Sequence, residues 1–174
     1  MILREKTPAT KLAVSVEFVK QYLRWIDTSL ETNDIIEEYI LAATELFEGV
    51  LDISLVEKTY EMTFSKEDMR VNEITLLRPP HKANSVSVKR VEFGEESTIT
   101  NFYVDDLSGI FNLTILDGTS GFFKVEFQSG YDNIPSGLKM ALAEQVGNWY
   151  EGTTDMGELS KSVMAKIGVY SNNL

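Results

Sequence analysis

The sequence predicts an α+β fold: N-terminal helices, an antiparallel β-sheet or small barrel insertion, a long C-terminal helix and an extended C-terminal arm. Three observations carry that expectation. Apolar residues recur at helical spacing before residue 50 and again after residue 135, they alternate with polar residues between about 55 and 128, and the four prolines fall at or between these stretches. With 174 residues, 43% of them hydrophobic, the chain can bury roughly 70% of its unfolded surface without covalent staples. Residues 1–152 read as one domain and 153–174 as a separate terminal segment.

The first helix is expected over residues 15–26. Ser15 is a good N-cap; Val16, Val19, Leu23 and Ile26 share a face, with Phe18, Tyr22 and Trp25 beside them. A second is expected over residues 34–49, opened by Asp34-Ile-Ile-Glu37 as a capping box and closed by Gly49 at C'. Its stripe is Ile36, Tyr39, Ile40, Ala43, Leu46, Phe47 and Val50, and Glu37, Glu38, Glu45 and Glu48 fall on the opposite, solvated face. From Leu55 the period becomes two, with Val56, Tyr60, Met62 and Phe64 alternating against Glu57, Thr59, Glu61 and Thr63. Further strands are expected near residues 71–77, 86–93, 99–104, 110–116 and 122–128. The last two read as a hairpin: Phe111, Leu113 and Ile115 face one way, Phe123, Val125 and Phe127 do the same, and Asp117-Gly-Thr-Ser-Gly121 joins them. A third helix is expected over residues 135–150, with Pro135 at its first position. Leu138, Leu142, Val146 and Trp149 line one face of it. The small residues Ala143 and Gly147 on another allow a second helix to approach closely. The segment from Gly152 onward reads as a hinge and an arm ordered only against a partner, since Leu159, Val163, Met164, Ile167 and Val169 have no evident place in a monomer core. Deleting 153–174 is therefore expected to leave a folded monomer.

Composition removes whole classes of function. The chain has no cysteine and a single histidine, His81, which excludes disulfides, thiolate metal sites, a cysteine nucleophile and any site built on two imidazoles. Its net charge of -11 argues against broad binding to nucleic acid or anionic membranes, which takes clustered Lys and Arg. The N-terminus lacks the apolar core of a signal peptide, and the apolar runs are far below the ~20 residues of a membrane span, so a soluble protein of the cytoplasm is expected. Charge is blocked along the chain: +2 over residues 1–30, -9 over 31–68, +4 over 69–90, -7 over 91–133 and -1 over 134–174.

Each candidate for chemistry has a plainer explanation. Glu95-Glu96 and Asp105-Asp106 could pair carboxylates, but they lie beside Gly94 and Gly109 and read as turn residues. A hydrolase using Asp105 or Asp106 has nothing else to support it. His81 follows Pro79-Pro80 and reads as an exposed loop residue. Asp132-Asn133 leads into a helix, and Gly118 and Gly121 lack the Lys-Ser/Thr of a phosphate loop. No catalytic, metal or cofactor site is expected. The basic patch of Arg70, Arg78, Lys82, Lys89 and Arg90 lacks interleaved aromatics, so it reads as a partner for acidic surface, including that of another copy.

Several strings resemble one known family. Leu77-Arg-Pro-Pro80 before Val86 and Val88, Val125-Glu-Phe-Gln-Ser-Gly-Tyr131, Ile134-Pro135, and Leu138-Lys-Met-Ala141 leading to Trp149-Tyr150-Glu151 are similar to the head-to-tail connector (adaptor) proteins of tailed bacteriophages. Ser162-Val-Met-Ala-Lys-Ile-Gly-Val-Tyr170 resembles that family's closing segment, with Ser171 where a basic residue is usual. The resemblance implies a non-enzymatic virion protein of the neck, assembled in the host cytoplasm. It also implies a homo-oligomeric ring, typically of twelve subunits, under the portal protein. The ring would meet a tail-proximal neck or tail-completion protein, and DNA would pass through without specific binding. Residues 1–152 would then be the connector domain and 153–174 an assembly arm. Arg70, Arg78, Lys82, Arg90, Ala143, Gly147, Leu159, Val163, Met164, Ile167 and Tyr170 are the expected subunit or portal interface, and Glu37, Glu38, Glu45 and Glu48 the expected channel lining. A tail-completion or stopper subunit and a non-phage soluble binding module are the alternatives.

Overall fold

The change of periodicity near residue 57 marks a boundary between two bodies. The computed structural model describes residues 1–25, 30–107, 110–116 and 121–171. One unit consists of Met1–Ala9 and Glu57–Tyr131, the other of Thr10–Val56 and Asp132–Leu174.

In the first unit, β1 (Ile2–Thr7), β2 (Lys58–Ser65), β4 (Ser87–Glu92), β5 (Glu95–Ile99) and β8 (Phe122–Ser129) form a five-stranded sheet in the order β1-β2-β8-β4-β5. A second sheet has β3 (Glu73–Thr75), β7 (Ile110–Ile115) and β6 (Phe102–Leu107) in the order β3-β7-β6, and every pairing in both is antiparallel. Alternation sends one row of each sheet inward. On β2 and β8 the register sets Tyr60 opposite Phe127, Met62 opposite Val125 and Phe64 opposite Phe123, and the two aromatic pairs stack at 5.9 and 5.6 Å. Ile74, Phe111, Leu113 and Ile115 from the second sheet join them in one buried core. Each of these residues is the inward member of an alternating pair, as the period-two pattern requires.

Several expectations change here. The strands ending at Ile115 and starting at Phe122 are not hairpin partners: β7 pairs with β3 and β6, and β8 with β2 and β4. Their matching apolar rows made them look paired, whereas the two rows line opposite sheets of a common core. The loop expected to join them, residues 117–120, lies outside the described residues, as does Gly109. The single strand expected at 99–104 is two, broken at Thr100 and Asn101, and the one at 71–77 shrinks to three residues. Strand β1 was not expected; its residues alternate charges rather than apolar groups, and it lies at the sheet edge. Glu95-Glu96 and Asp105-Asp106 sit within β5 and β6 rather than in turns.

His81 is buried, not an exposed loop residue. Its Nε2 lies 3.0 Å from the Leu77 carbonyl, and its Nδ1 accepts the Phe111 N–H at 3.2 Å. The backbone donor at Nδ1 assigns the ring proton to Nε2. The ring stacks on Phe111 at 5.1 Å and meets Phe127 edge-on at 5.3 Å. The imidazole therefore bridges the 77–81 loop to the sheet core.

Two turns use unusual residues. Phe93 and Gly94 close the β4–β5 hairpin at φ 52° and 87°, and Val71 and Asn72 sit at φ 48° and 68°. A left-handed conformation costs a residue with a Cβ about 1–2 kcal/mol, and a two-residue hairpin of this kind favours Asn-Gly. Phe93 and Val71 are nonetheless fully exposed.

The second unit is helical. Helix α1 (Val16–Leu23) begins at Ser15, whose hydroxyl accepts the Phe18 N–H at 3.1 Å, and ends where Arg24 turns left-handed at φ 57°, earlier than the expected Ile26, which lies outside the described residues. Helix α2 (Leu30–Leu51) is longer than expected at both ends. It runs through Asp34, so no capping box forms there, and through Gly49; Asp52, at φ 54°, takes the left-handed position instead. Ile36, Ile40, Ala43, Phe47 and Leu51 are its buried stripe. Helix α3 (Ser136–Tyr150) has Pro135 as N-cap rather than first residue, and at 15 residues it is shorter than the 22-residue α2. Ala143 and Gly147 are buried, and a Cβ on Gly147 would stand 2.8 Å from a Leu23 methyl. The close approach foreseen from the small face is made by α1.

Glu48 is buried, and its Oε1 accepts the backbone N–H of Leu55 at 2.8 Å and of Val56 at 3.4 Å. The carboxylate thus fastens the chain that leaves α2. The terminal segment is no extended arm: α4 (Lys161–Ser171) packs on α3, with Val163 and Ile167 buried. The connection is tied as well. Buried Gln145 donates to the Glu158 carbonyl and accepts the Ser160 N–H, both at 3.0 Å, and Trp149 Nε1 donates to the Asp155 carbonyl at 3.0 Å.

These contacts reverse the expectation for truncation. Deleting residues 153–174 exposes the face of α3 under Val163 and Ile167, each worth about 1.5–3 kcal/mol, and leaves Gln145 unpaired. A thermal melt should show a strongly lowered Tm or no cooperative transition; an unchanged melt would refute the packing role of α4. His81→Ala should lose about 3 kcal/mol in urea unfolding, from the cavity and two orphaned backbone groups. Glu48→Ala should lose about 2 kcal/mol, with Glu48→Gln losing less because an acceptor remains.

Candidate functional site

Among the described residues no three His, Asp or Glu side chains converge on a point that could hold a metal ion. Adjacent residues on a strand face opposite ways, so Glu95 and Glu96, or Asp105 and Asp106, cannot share one proton or one substrate. Glu96 instead accepts from Lys124 at 2.6 Å and Lys89 at 2.9 Å. Those hydrogen bonds, Lys124 first and then Lys89, hold its carboxyl down at about 2. His81 has both nitrogens engaged with backbone.

The basic residues lie on the sheet unit, and three of them are already paired there. Lys82 reaches Glu57 at 4.0 Å, Lys89 holds Glu96, and Arg90 pairs with Glu92. Arg70 is exposed, its backbone bridged to Glu73 by two hydrogen bonds of 2.8 Å, and Arg78 is half-buried at φ 63°. The +4 block thus meets carboxylates of the flanking acidic blocks within its own unit. Sequence blocks alone do not reveal this, because strand pairing brings distant residues together.

Of the four glutamates expected on the open face of α2, Glu37, Glu38 and Glu45 are exposed; Glu48 is not, and it leaves the set. Ile35, Leu41 and Val50 are exposed on the same helix, giving it a mixed acidic and apolar surface. Ala143, Gly147, Val163 and Ile167, expected at an interface, are spent inside the helical unit. Leu159 and Tyr170 are half-buried and Met164 is exposed.

Tyr170 does reach a surface feature. With Tyr22, Gly137, Met140, Lys166 and Val169 it lines a groove of about 530 Å³ on the helical unit, formed by α1, α3 and α4. Gly137 leaves room there for the Tyr170 hydroxyl, which a Cβ would displace. Lys166 pairs with Glu144 across α3 and α4. The groove escaped the sequence reading because its residues come from three separated segments. Phe93 escaped it as the expected end of a strand; the signal was an aromatic beside Gly in Glu92-Phe-Gly-Glu95.

Solved structures share this fold. The chain matches one in the neck of an empty gene transfer agent (GTA) particle computed with C6 symmetry, with TM-score 0.79 and 19% identity over 98% of this chain and 95% of that one. A chain of the native GTA virion gives the same values, and one in the neck of the native GTA particle computed with C12 symmetry gives 0.72 and 18%, covering 98% and 94%. No curated protein matches the sequence. The sequence model of one family, described as head completion protein, matches residues 13–163. That match runs from before α1 through the sheet unit and α3 into α4, so the chain belongs to the head completion protein family and is a structural, non-enzymatic protein.

Proposed function

We propose that the chain is a neck subunit that closes into a ring between the portal of a phage-type head and its tail, leaving a channel for DNA. The observation that carries this reading is the match of nearly the whole chain, at both ends of the comparison, to chains from GTA necks, taken with its family. Those necks were computed with C6 and C12 symmetry, which favours a sixfold or twelvefold ring here. The acidic balance suits the role: Glu and Asp around a bore repel phosphate and keep DNA sliding, where a basic lining would trap it. Glu37, Glu38 and Glu45 on α2 are the residues we assign to that lining.

Native mass spectrometry and negative-stain imaging, with the chain alone and mixed with portal, should find rings with a central hole. A persistent 19.6 kDa monomer under both conditions would overturn the reading. A triple variant, Glu37→Lys, Glu38→Lys and Glu45→Lys, should still form rings but retain DNA fragments, and that retention should fall steeply with added salt. Rings of the variant that ignore DNA as the wild type does would remove α2 from the channel.

A further inference from the structure

Two features of the surface present apolar groups to solvent. Phe93 stands at the tip of the β4–β5 hairpin, fully exposed and at a backbone position better suited to Asn. The groove on the helical unit is walled by Tyr22, Met140, Val169 and Tyr170 and exposes the first three of them to solvent. We propose that Phe93 of one copy seats in this groove of the neighbouring copy, so that the ring is closed by a knob on one subunit and a socket on the next. The inference rests on the ring reading above and names its subunit contact.

Several observations favour a second copy as occupant. A ring requires a heterologous contact, meaning two different and complementary surfaces on one chain. Phe93 protrudes and the groove is recessed. Charges match as well: exposed Glu95 flanks the knob, beside Glu92, which Arg90 holds, and Lys166 is the charged residue of the socket wall. Lys166 holds Glu144, and an ammonium with three donors can accept a second carboxylate beside it. The volume of about 530 Å³ has room for a phenyl ring with its flanking backbone. Tyr and Met walls are of the kind that pack closely on an aromatic anchor.

The test uses the full chain. Phe93→Asn places the favoured residue in the turn, so the variant should melt no lower than wild type, and loss of assembly cannot then be blamed on misfolding. It should raise the concentration at which rings form by at least roughly tenfold, as loss of a buried aromatic anchor does. Val169→Glu, on the socket side, should do the same. The chain has no cysteine, so Phe93→Cys and Val169→Cys made in separate chains are unique handles. Mixed and treated with a short bis-maleimide, they should give a dimer that neither variant gives alone. Wild-type rings that Phe93→Asn leaves unchanged, or mixed variants that assemble without cross-linking, would overturn this inference alone. Rings that persist in Phe93→Asn while portal binding is lost would overturn it too, by assigning the knob to the portal. A wild type that never forms rings, with or without portal, overturns the neck reading and this contact with it.

Discussion

Helix α3 has only a narrow wet side, around Ser136, Met140 and Tyr150, and the helical unit follows from that constraint. Eight of its 15 residues are buried, so three separate elements must cover it. Helix α1 can come close because Gly147 leaves space for Leu23, and α2 presents a regular apolar stripe to it. The remaining face falls to α4, with Gln145 and Trp149 fixing the connecting chain by hydrogen bonds to its backbone. The faces that carry Ala143 and Gly147 therefore cannot be an outer contact surface, and only the Met140 side of α3 reaches the groove.

Much of this was legible in the sequence, and the failures have physical causes. Period two placed β2, β3, β4, β7 and β8 and the inward rows of β2, β7 and β8, and Ser15 and Pro135 marked helix starts to within a residue. The family strings lie in buried or tightly paired places, as with Val125-Glu-Phe in β8 and Leu138-Lys-Met-Ala141 in α3. Pairing was not legible, because an inward row looks the same whether its partner is a hydrogen-bonded neighbour or a facing sheet. Helix ends misled where a capping or breaking residue served inside a helix: Asp34 and Gly49 carry terminal signals, yet packing of the α2 stripe holds both within the helix. Glu48 was misassigned because one carboxylate in a run of four takes backbone partners that only the turn after α2 supplies. The terminal segment was read as unplaced because its partners on α3 are interleaved with residues that already formed a complete-looking stripe.

Electrostatics also changes meaning between chain and fold. Blocks of opposite sign along the sequence suggested attraction between copies, but in the sheet unit they largely meet each other, with Glu96 clasped by two lysines from β4 and β8. What stays open is mainly negative, as a -11 chain requires. Such a surface discourages unspecific adhesion to polyanions while leaving apolar points to supply specific contact.

The helical unit is assembled from two separated segments, residues 10–56 and 132–174, with most of the sheet unit encoded between them. During synthesis α1 and α2 emerge early and have no α3 or α4 to cover them until more than 130 residues have been made. The groove lined by Tyr22, Met140 and Tyr170 therefore does not exist on a nascent or interrupted chain. On the proposed contact, a product stopped before α4 carries the Phe93 hairpin but no receptacle of its own, and it cannot extend a ring.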